Sequence, residues 1–163
     1  MKIRKYLPRD KVQIVHLISQ FRVTLAGFKN IKKNINLKDA ERELLDFIRA
    51  KFPIFVAEGS NGIIEGYMVC KVVDQIIWVE SLFVSPEYRR KGIGSALFEH
   101  ACELASQYGE DTVYNWVHPN NDEMIAFLKF RGYDVLNLIE IRKPYHNEKF
   151  SQKIKIGNNE FNY

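Results

Sequence analysis

Residues 76–97 of the chain read IIWVESLFVSPEYRRKGIGSAL, and this stretch carries the most informative pattern in the sequence. Residues 76–84 are dense in apolar side chains, which is typical of a central strand. A polar loop follows, and from residue 93 apolar side chains recur at helical spacing as far as Tyr108. The stretch therefore predicts a strand, a basic turn with two glycines, and a helix.

The turn between this strand and this helix has the chemistry of an anion-binding site. The first amides of a helix have no partners within it, and the helix dipole adds positive potential there. Gly92 and Gly94 let the backbone approach a ligand closely. Three basic residues stand beside them: Arg89, Arg90 and Lys91. A phosphate group is the expected ligand, and the alternative is a tight structural turn with solvated basic side chains.

Two common phosphate-binding motifs do not fit the turn. The dinucleotide fingerprint G-x-G-x-x-G needs a small residue where Leu97 stands, and it needs an early βαβ unit. The P-loop pattern G-x-x-x-x-G-K-S/T is absent from the chain. The flanking segments must therefore identify the ligand.

Those flanks closely resemble the acetyl-CoA motif of the GNAT N-acetyltransferases. Arg89, Gly92 and Gly94 occupy the three defining positions of the pattern Gln/Arg-x-x-Gly-x-Gly/Ala. Residues 117–133, VHPNNDEMIAFLKFRGY, are similar to the family's second segment, V-x-x-x-N…A-x-x-F/L-Y-x-x-x-G-F/Y. The resemblance covers residues 54–142, and it implies acetyl-CoA as co-substrate and no metal.

The remaining chain predicts an α+β fold. Helices are expected from residue 9 to about 25, with Asp10 as a cap or first-turn acid, near 39–48, and before Gly132. Strands are expected at 2–6, 54–58, 63–73, 112–117 and 133–141, with turns at residues 61–62 and 74–75, and a final hairpin over 152–163. The resemblance implies one GNAT domain over residues 1–163, with core motifs at 76–133 and a C-terminal extension at 144–163. Its sheet would be mixed and mostly antiparallel, with about six to seven strands and about four flanking helices.

The resemblance also implies where acetyl-CoA binds. Pantetheine would pair with the backbone of Leu82, Phe83 and Val84, and an N–H near Val84 would stabilise the oxyanion. The pyrophosphate would bind amides along Arg90, Lys91, Gly92, Ile93, Gly94 and Ser95. Arg89 would brace the loop or approach a phosphate. Asn121 matches an asparagine near pantetheine, and a helix N-cap is an equally compatible role.

Glu80 is the expected catalytic residue, because related enzymes often carry an acid there and a protonated amine needs a base before it can attack. A salt-bridged or edge-facing carboxylate is the alternative. Leu128 departs from the family, which often places at this position a tyrosine that protonates the thiolate. Tyr133, Tyr114, Ser95 or water could take that role. His118 stands in a His-Pro pair that is more typical of a structural turn than of a base.

The expected reaction is direct transfer of an acetyl group to a primary amine of a small molecule or of a peptide N-terminus or lysine. The alternative is a non-catalytic acyl-CoA-binding or regulatory protein. The chain has 24 basic and 20 acidic residues, and a patch of lysines lies at residues 29–38. This patch disfavours polycationic acceptors and suits a peptide N-terminus or an acid-bearing metabolite.

Neither nucleic acid nor a membrane is expected as a partner, because no long basic block and no run of about 18 apolar residues occur. Cys70 and Cys102 are too few for a disulfide framework, so we expect reduced thiols in a cytoplasmic protein without a signal peptide. A homodimer is the expected assembly.

Overall fold

The computed structural model describes residues 1–163 and contains four α-helices and seven β-strands. In chain order these are β1 (Lys2–Lys5), α1 (Lys11–Gly27), α2 (Leu37–Arg49), β2 (Ile54–Glu58), β3 (Ile64–Val73), β4 (Ile76–Val84), α3 (Ile93–Gln107), β5 (Tyr114–Asn115), α4 (Asp122–Phe130), β6 (Lys153–Ile156) and β7 (Asn159–Asn162). Short 3-10 helices at Pro8–Asp10 and Pro86–Tyr88 lie before α1 and α3. The predicted α+β class is confirmed.

Five strands form one sheet in the order β1-β2-β3-β4-β5. The first four are antiparallel neighbours, and β5 runs parallel to β4. Both predicted hairpin turns are present, with a φ of 77° at Gly62 and φ values of 50° and 69° at Asp74 and Gln75. Positive φ at such turn residues gives a twist that matches the paired strands. Local sequence thus sets the β2–β3–β4 meander.

One face of this sheet packs against α1 and α2. Ile14 and Ile18 of α1 and Leu44 of α2 are completely buried, together with Tyr67 and Val69 of β3. These apolar positions recur at helical spacing in α1 and at every second residue in β3. Burial of large apolar side chains here holds both helices on the sheet.

The opposite face carries α3. Met68 and Cys70 alternate with the previous set along β3, so they point to this side, where they are also fully buried. Leu97, Phe98 and Ala101 of α3 are buried as well, and the helix packs against β2, β3 and β4. Helices therefore cover β4 on both faces.

Asp10 precedes α1, but its side chain does not cap the helix, contrary to one predicted role. Its backbone is already helical (φ −81°, ψ −10°), whereas a capping residue needs an extended backbone. The carboxylate instead accepts hydrogen bonds from the Arg4 guanidinium at 2.7 and 2.9 Å, and from the Leu7 N–H at 2.8 Å. These bonds to Arg4 lower the pKa of Asp10 below its ordinary value.

The chain forms two compact units, Met1–Phe127 and Leu128–Tyr163. The second contains the predicted final hairpin, in which β6 pairs with β7. The strand predicted over residues 133–141 is wrong, since these residues form no regular structure and Val135 and Leu138 are mostly exposed. Their apolar alternation favours a strand, but a strand also needs a hydrogen-bonded neighbour, and nothing in this unit pairs with it.

The strand predicted over residues 112–117 forms over Tyr114–Asn115 only. None of the helices is long and apolar enough to cross a membrane. No group of three or more His, Cys, Asp or Glu side chains could hold a metal ion. The single domain over residues 1–163 and the extension beginning at residue 144 stay predictions.

Candidate active site

The turn between β4 and α3 has left-handed backbone at two residues, Arg90 (φ 61°) and Gly92 (φ 80°). Gly92 is the N-cap of α3, and the N–H of Ala96 donates to its carbonyl at 3.0 Å. The amides of the three residues between them therefore have no partner within the helix. They provide a set of N–H donors at the positive end of the helix dipole, as the turn pattern predicted.

The surface beside these amides is open and positively charged. A Cβ placed on Gly92 would meet no atom within 4 Å. Arg90 and Lys91 are exposed, and neither forms an ion pair, although the Lys91 ammonium lies 5.2 Å from the centre of the Tyr88 ring. The turn therefore has both the space and the charge for an anionic group.

Arg89 contacts two neighbouring elements, β4 and α4. Its Nε donates to the Val84 carbonyl at 3.0 Å, and its Nη1 pairs with Glu123 of α4 at 3.0 Å. Its guanidinium also lies 5.6 Å from the centre of the Phe83 ring. Arg89 therefore contacts the end of β4 and the start of α4, and of its two predicted roles it has the geometry of a brace.

The strands β4 and β5 pair at only two positions, Trp78 with Tyr114 and Val79 with Asn115. Beyond them β5 ends, so Leu82, Phe83 and Val84 have no partner on that side of β4. Phe83 is buried, with its ring centre 5.6 Å from that of Phe21 on α1. The early end of β5 thus leaves this side of β4 unpaired along the three residues predicted to bind pantetheine.

Glu80 is the extra residue of a β-bulge. Val69 pairs with Ser81 and Cys70 pairs with Val79, so Glu80 has no opposite residue on β3. Bulges of this kind redirect a side chain and are common beside active sites. Glu80 also follows directly after the last β4 residue that pairs with β5. Its Oε2 is enclosed by the protein and accepts no hydrogen bond.

Arg22 of α1 and Glu43 of α2 lie near Glu80, and the sequence did not point to either. The Arg22 Nε donates to Glu43 Oε2 at 2.7 Å, and a second, shorter contact joins its Nη2 to the other carboxylate oxygen. These bonds raise the pKa of Arg22, and the charge of Glu80 adds to the same shift. The available signal was a lone cation beside the apolar stripe of α1.

A buried polar pair lies on the same face of the sheet. The hydroxyls of Tyr67 and Ser81 are 2.8 Å apart, and burial raises the pKa of Tyr67. Ser81 adjoins Glu80 in β4, so the pair fixes the strand immediately after the bulge. A buried hydroxyl needs such a partner because it cannot bond to water.

Asn121 and His118 have structural contacts before α4. Asn121 Oδ1 accepts from the N–H of Met124 at 3.2 Å, which is the N-cap geometry. His118 Nδ1 accepts from the N–H of Asn120 at 3.2 Å, as expected of a turn residue. Leu128 is buried near the end of α4. Of the other predicted proton donors, Tyr114 packs on Trp78 and Ser95 is half-buried in the first turn of α3.

Residues 25–133 match the model of the acetyltransferase (GNAT) family. An uncharacterised N-acetyltransferase of Methanocaldococcus jannaschii is 32% identical over 66 residues, which are 40% of this chain and 29% of that protein. A ribosomal protein bS18-alanine N-acetyltransferase of Escherichia coli is 29% identical over 87 residues, 53% of this chain and 57% of that protein. The chain thus covers less than two thirds of the length of these relatives.

Solved structures share the fold. A GNAT-family acetyltransferase of Staphylococcus aureus superposes with a TM-score of 0.64 at 19% identity, over 80% of this chain and 82% of that one. The aminoglycoside N-acetyltransferase AAC(6')-Iy, in complex with CoA, gives a TM-score of 0.63 at 18% identity, over 88% of this chain and 100% of that one. At these identities the likeness shows the fold alone.

Proposed function

The chain belongs to the acetyltransferase (GNAT) family, and we propose on this basis that it transfers an acetyl group from acetyl-CoA to a primary amine. The family model supports a transferase. The observation that carries the proposal is Glu80, a bulged carboxylate with one enclosed and unbonded oxygen, beside the point where β4 and β5 stop pairing.

The turn before α3 fits the pyrophosphate of acetyl-CoA. Three helix amides, from Ile93 to Ser95, have no partner in α3, and the space over Gly92 is open. Arg90 and Lys91 supply positive charge beside them without being neutralised by an acid. Several N–H donors and a helix dipole are the usual means of binding such an anion. The turn before α3 thus favours a diphosphate ligand.

The unpaired side of β4 fits the arm that carries the thioester. The Leu82 carbonyl and the amides of Leu82 and Val84 can bond to the pantetheine amides as a neighbouring strand would, while the Val84 carbonyl accepts from Arg89. The acetyl group then lies along β4 toward Glu80. In this arrangement an N–H near Val84 supplies the donor for the carbonyl oxygen as it becomes negative.

Glu80 acts as the base in the proposed reaction. An alkyl amine with a pKa of about 10 is mostly protonated at pH 7, so it must lose a proton before it attacks. Glu80 accepts that proton, directly or through one water. The amine nitrogen then bonds to the acetyl carbon and loses its second proton to water, the C–S bond breaks, and CoA leaves as a thiolate. An amide and free CoA are the products.

The thiolate takes its proton from water, because Leu128 occupies the place of the usual tyrosine. Leucine has no proton to donate, and a thiolate is a good leaving group near neutral pH. The same substitution favours a second candidate function, a protein that binds acyl-CoA without transferring the acetyl group. The two functions differ in whether thiol is released when an amine is added.

Thiol release from acetyl-CoA, measured with a panel of amines and peptides, tests the proposal. We expect amine-dependent release, and we expect Glu80→Gln to lower kcat about 100-fold while CoA still binds. Glu87→Gln is the matched control, because Glu87 is exposed, forms no ion pair and carries the same charge. Tight CoA binding without release on any acceptor would favour the non-catalytic function.

A further inference from the structure

A cavity of about 320 Å³ lies on the α1 side of the sheet, and the proposed reaction leaves it unused. It is open to solvent, and its walls come from the C-terminal half of α1, the loop after α1 and His118 after β5. Its lining consists of Arg22, Leu25, Ala26, Lys29, Lys33 and His118. The volume is that of a small-molecule site, and two apolar side chains form part of the wall.

The lining carries positive charge and no acid. Arg22 is balanced by Glu43, to which it is hydrogen-bonded outside this lining. Lys29 and Lys33 form no ion pair. Lys33 also lines a neighbouring cleft with Asp39 and Glu43, and these two acids are paired with arginines. Two ammonium groups without a salt bridge around one cavity lower the energy of an anion there and raise that of a cation.

His118 and its neighbour Asn120 both contact Phe28 in the loop after α1. The His118 ring stacks on Phe28 with 5.8 Å between centres, and the Asn120 side chain donates to the Phe28 carbonyl at 2.9 Å. Partial burial lowers the pKa of His118, and the charge of Lys29 adds to this effect. These two contacts join the loop after α1 to the turn after β5.

Arg22 connects this cavity to the proposed reaction. It lines the cavity and directly follows Phe21, whose ring centre lies 5.6 Å from that of Phe83 on β4, the strand that carries Glu80. The charge of Glu80 also contributes to the rise in the pKa of Arg22. Glu80 does not itself line the cavity, so a ligand bound at the two lysines must extend past Arg22 along β4 to bring its other end to the carboxylate. This polarity suits a molecule that is negative at one end and carries an amine at the other.

We propose that the acetyl acceptor is a primary amine that also carries an anionic group, and that Lys29 and Lys33 bind this group. The assignment rests on the proposed function and narrows it to one substrate class. Carboxylate and phosphate groups share the required chemistry, and either is bound by ammonium donors. Amines with a second positive charge in place of the anion are poor acceptors, because the cavity repels it.

The test compares acceptors that share a primary amine at one end and differ only in the group at the opposite end. Amino carboxylates with two to six methylenes are assayed beside their carboxamides, the matching aminoalkyl phosphonates and the matching diamines. We expect a kcat/KM at least tenfold higher for the anionic amines than for the carboxamides, with the diamines poorest. The ratio between carboxylate and phosphonate identifies which anion the cavity prefers.

In the variant Lys29→Gln/Lys33→Gln, the ratio of kcat/KM between anionic amines and carboxamides should fall about tenfold. The fall should come from a higher KM for the anionic amine, with KM for acetyl-CoA unchanged. Lys32→Gln/Lys38→Gln is the matched control: it removes two exposed, unpaired charges of the same patch that do not line the cavity. Equal turnover of carboxamides and anionic amines, or an equal loss in both variants, overturns the assignment. Absence of transfer to every amine refutes the proposed function itself, and the assignment with it.

Discussion

Gly92 and Gly94 are two residues apart, yet alanine should have opposite effects on stability at the two positions. Gly92 has a φ of 80°, where a Cβ costs about 1–2 kcal/mol. A Cβ on Gly94 would lie 3.9 Å from Phe127 and 4.0 Å from Val84, which is ordinary contact. Alanine in a helix is favoured over glycine by about 0.5–1 kcal/mol. Gly92→Ala should therefore destabilise the fold, and Gly94→Ala should stabilise it.

Thermal and urea unfolding measure both effects. For a chain of this length, 1 kcal/mol corresponds to about 2–4 °C in Tm. Gly92→Ala should lower Tm by about 5 °C, and Gly94→Ala should raise it by about 2 °C. Gly92→Asn is the control for backbone strain, since asparagine tolerates the left-handed region and should lose less than alanine. A Tm shift of the same sign in both alanine variants would show that the left-handed backbone of Gly92 does not set the effect.

Calorimetric titration with CoA extends the comparison to the ligand. Gly92→Ala turns the amides at the start of α3, and loss of one charge-assisted hydrogen bond weakens binding about tenfold. Gly94→Ala leaves the backbone in place and should keep CoA affinity within about threefold. Equal loss in both variants would show that the turn geometry at Gly92 has no special part in binding.

Two other predictions concern stability. Arg4 holds the pKa of the buried Asp10 below its ordinary value of 3.8, so that carboxylate contributes stability above about pH 4 and loses it as pH falls further. Arg4→Met should cost about 3–5 kcal/mol at pH 7. Asp10 contributes almost no slope between pH 4 and 6 in the wild type, whereas the unpaired buried carboxyl of the variant should make the free energy of unfolding rise as pH falls through this range. Urea unfolding at several pH values measures both slopes, and equal slopes would contradict this. Tyr67→Phe should lower the free energy of unfolding by about 1–3 kcal/mol, because it leaves the buried Ser81 hydroxyl unpaired. A double-mutant cycle with Ser81→Ala should give a coupling energy of about 1 kcal/mol. Strict additivity of the two changes would argue against the hydrogen bond between the hydroxyls.

Local chemistry explains which parts of the fold could be predicted from the sequence. The hairpin turns at Gly62 and at Asp74 and Gln75 depend on neighbouring residues, and so does the strand–turn–helix around Gly92. These elements form as the sequence predicts. The strand predicted over residues 133–141 failed because a strand depends on a partner distant in sequence, which local alternation of apolar residues does not reveal.

The candidate site also has features set by adjacent residues and features set by residues distant in sequence. The positively charged turn follows from adjacent residues, whereas the bulge at Glu80 arises from the register between β3 and β4. The pair of Arg22 and Glu43 joins two helices, and the cavity needs the loop after α1 to meet the turn after β5. The position of Arg22 beside the apolar stripe of α1 indicates a buried cation that needs a partner, but only the structure identifies Glu43 as that partner.

Hydrogen–deuterium exchange with and without CoA shows whether CoA binds at the turn before α3 and along β4. We expect slower exchange on CoA binding at the amides of residues 93–95 and along residues 82–84, and little change in the β6–β7 hairpin. Gly92→Ala should weaken this protection at equal CoA concentration. Binding of CoA with no protection of residues 93–95 would show that the pyrophosphate does not bind at this turn.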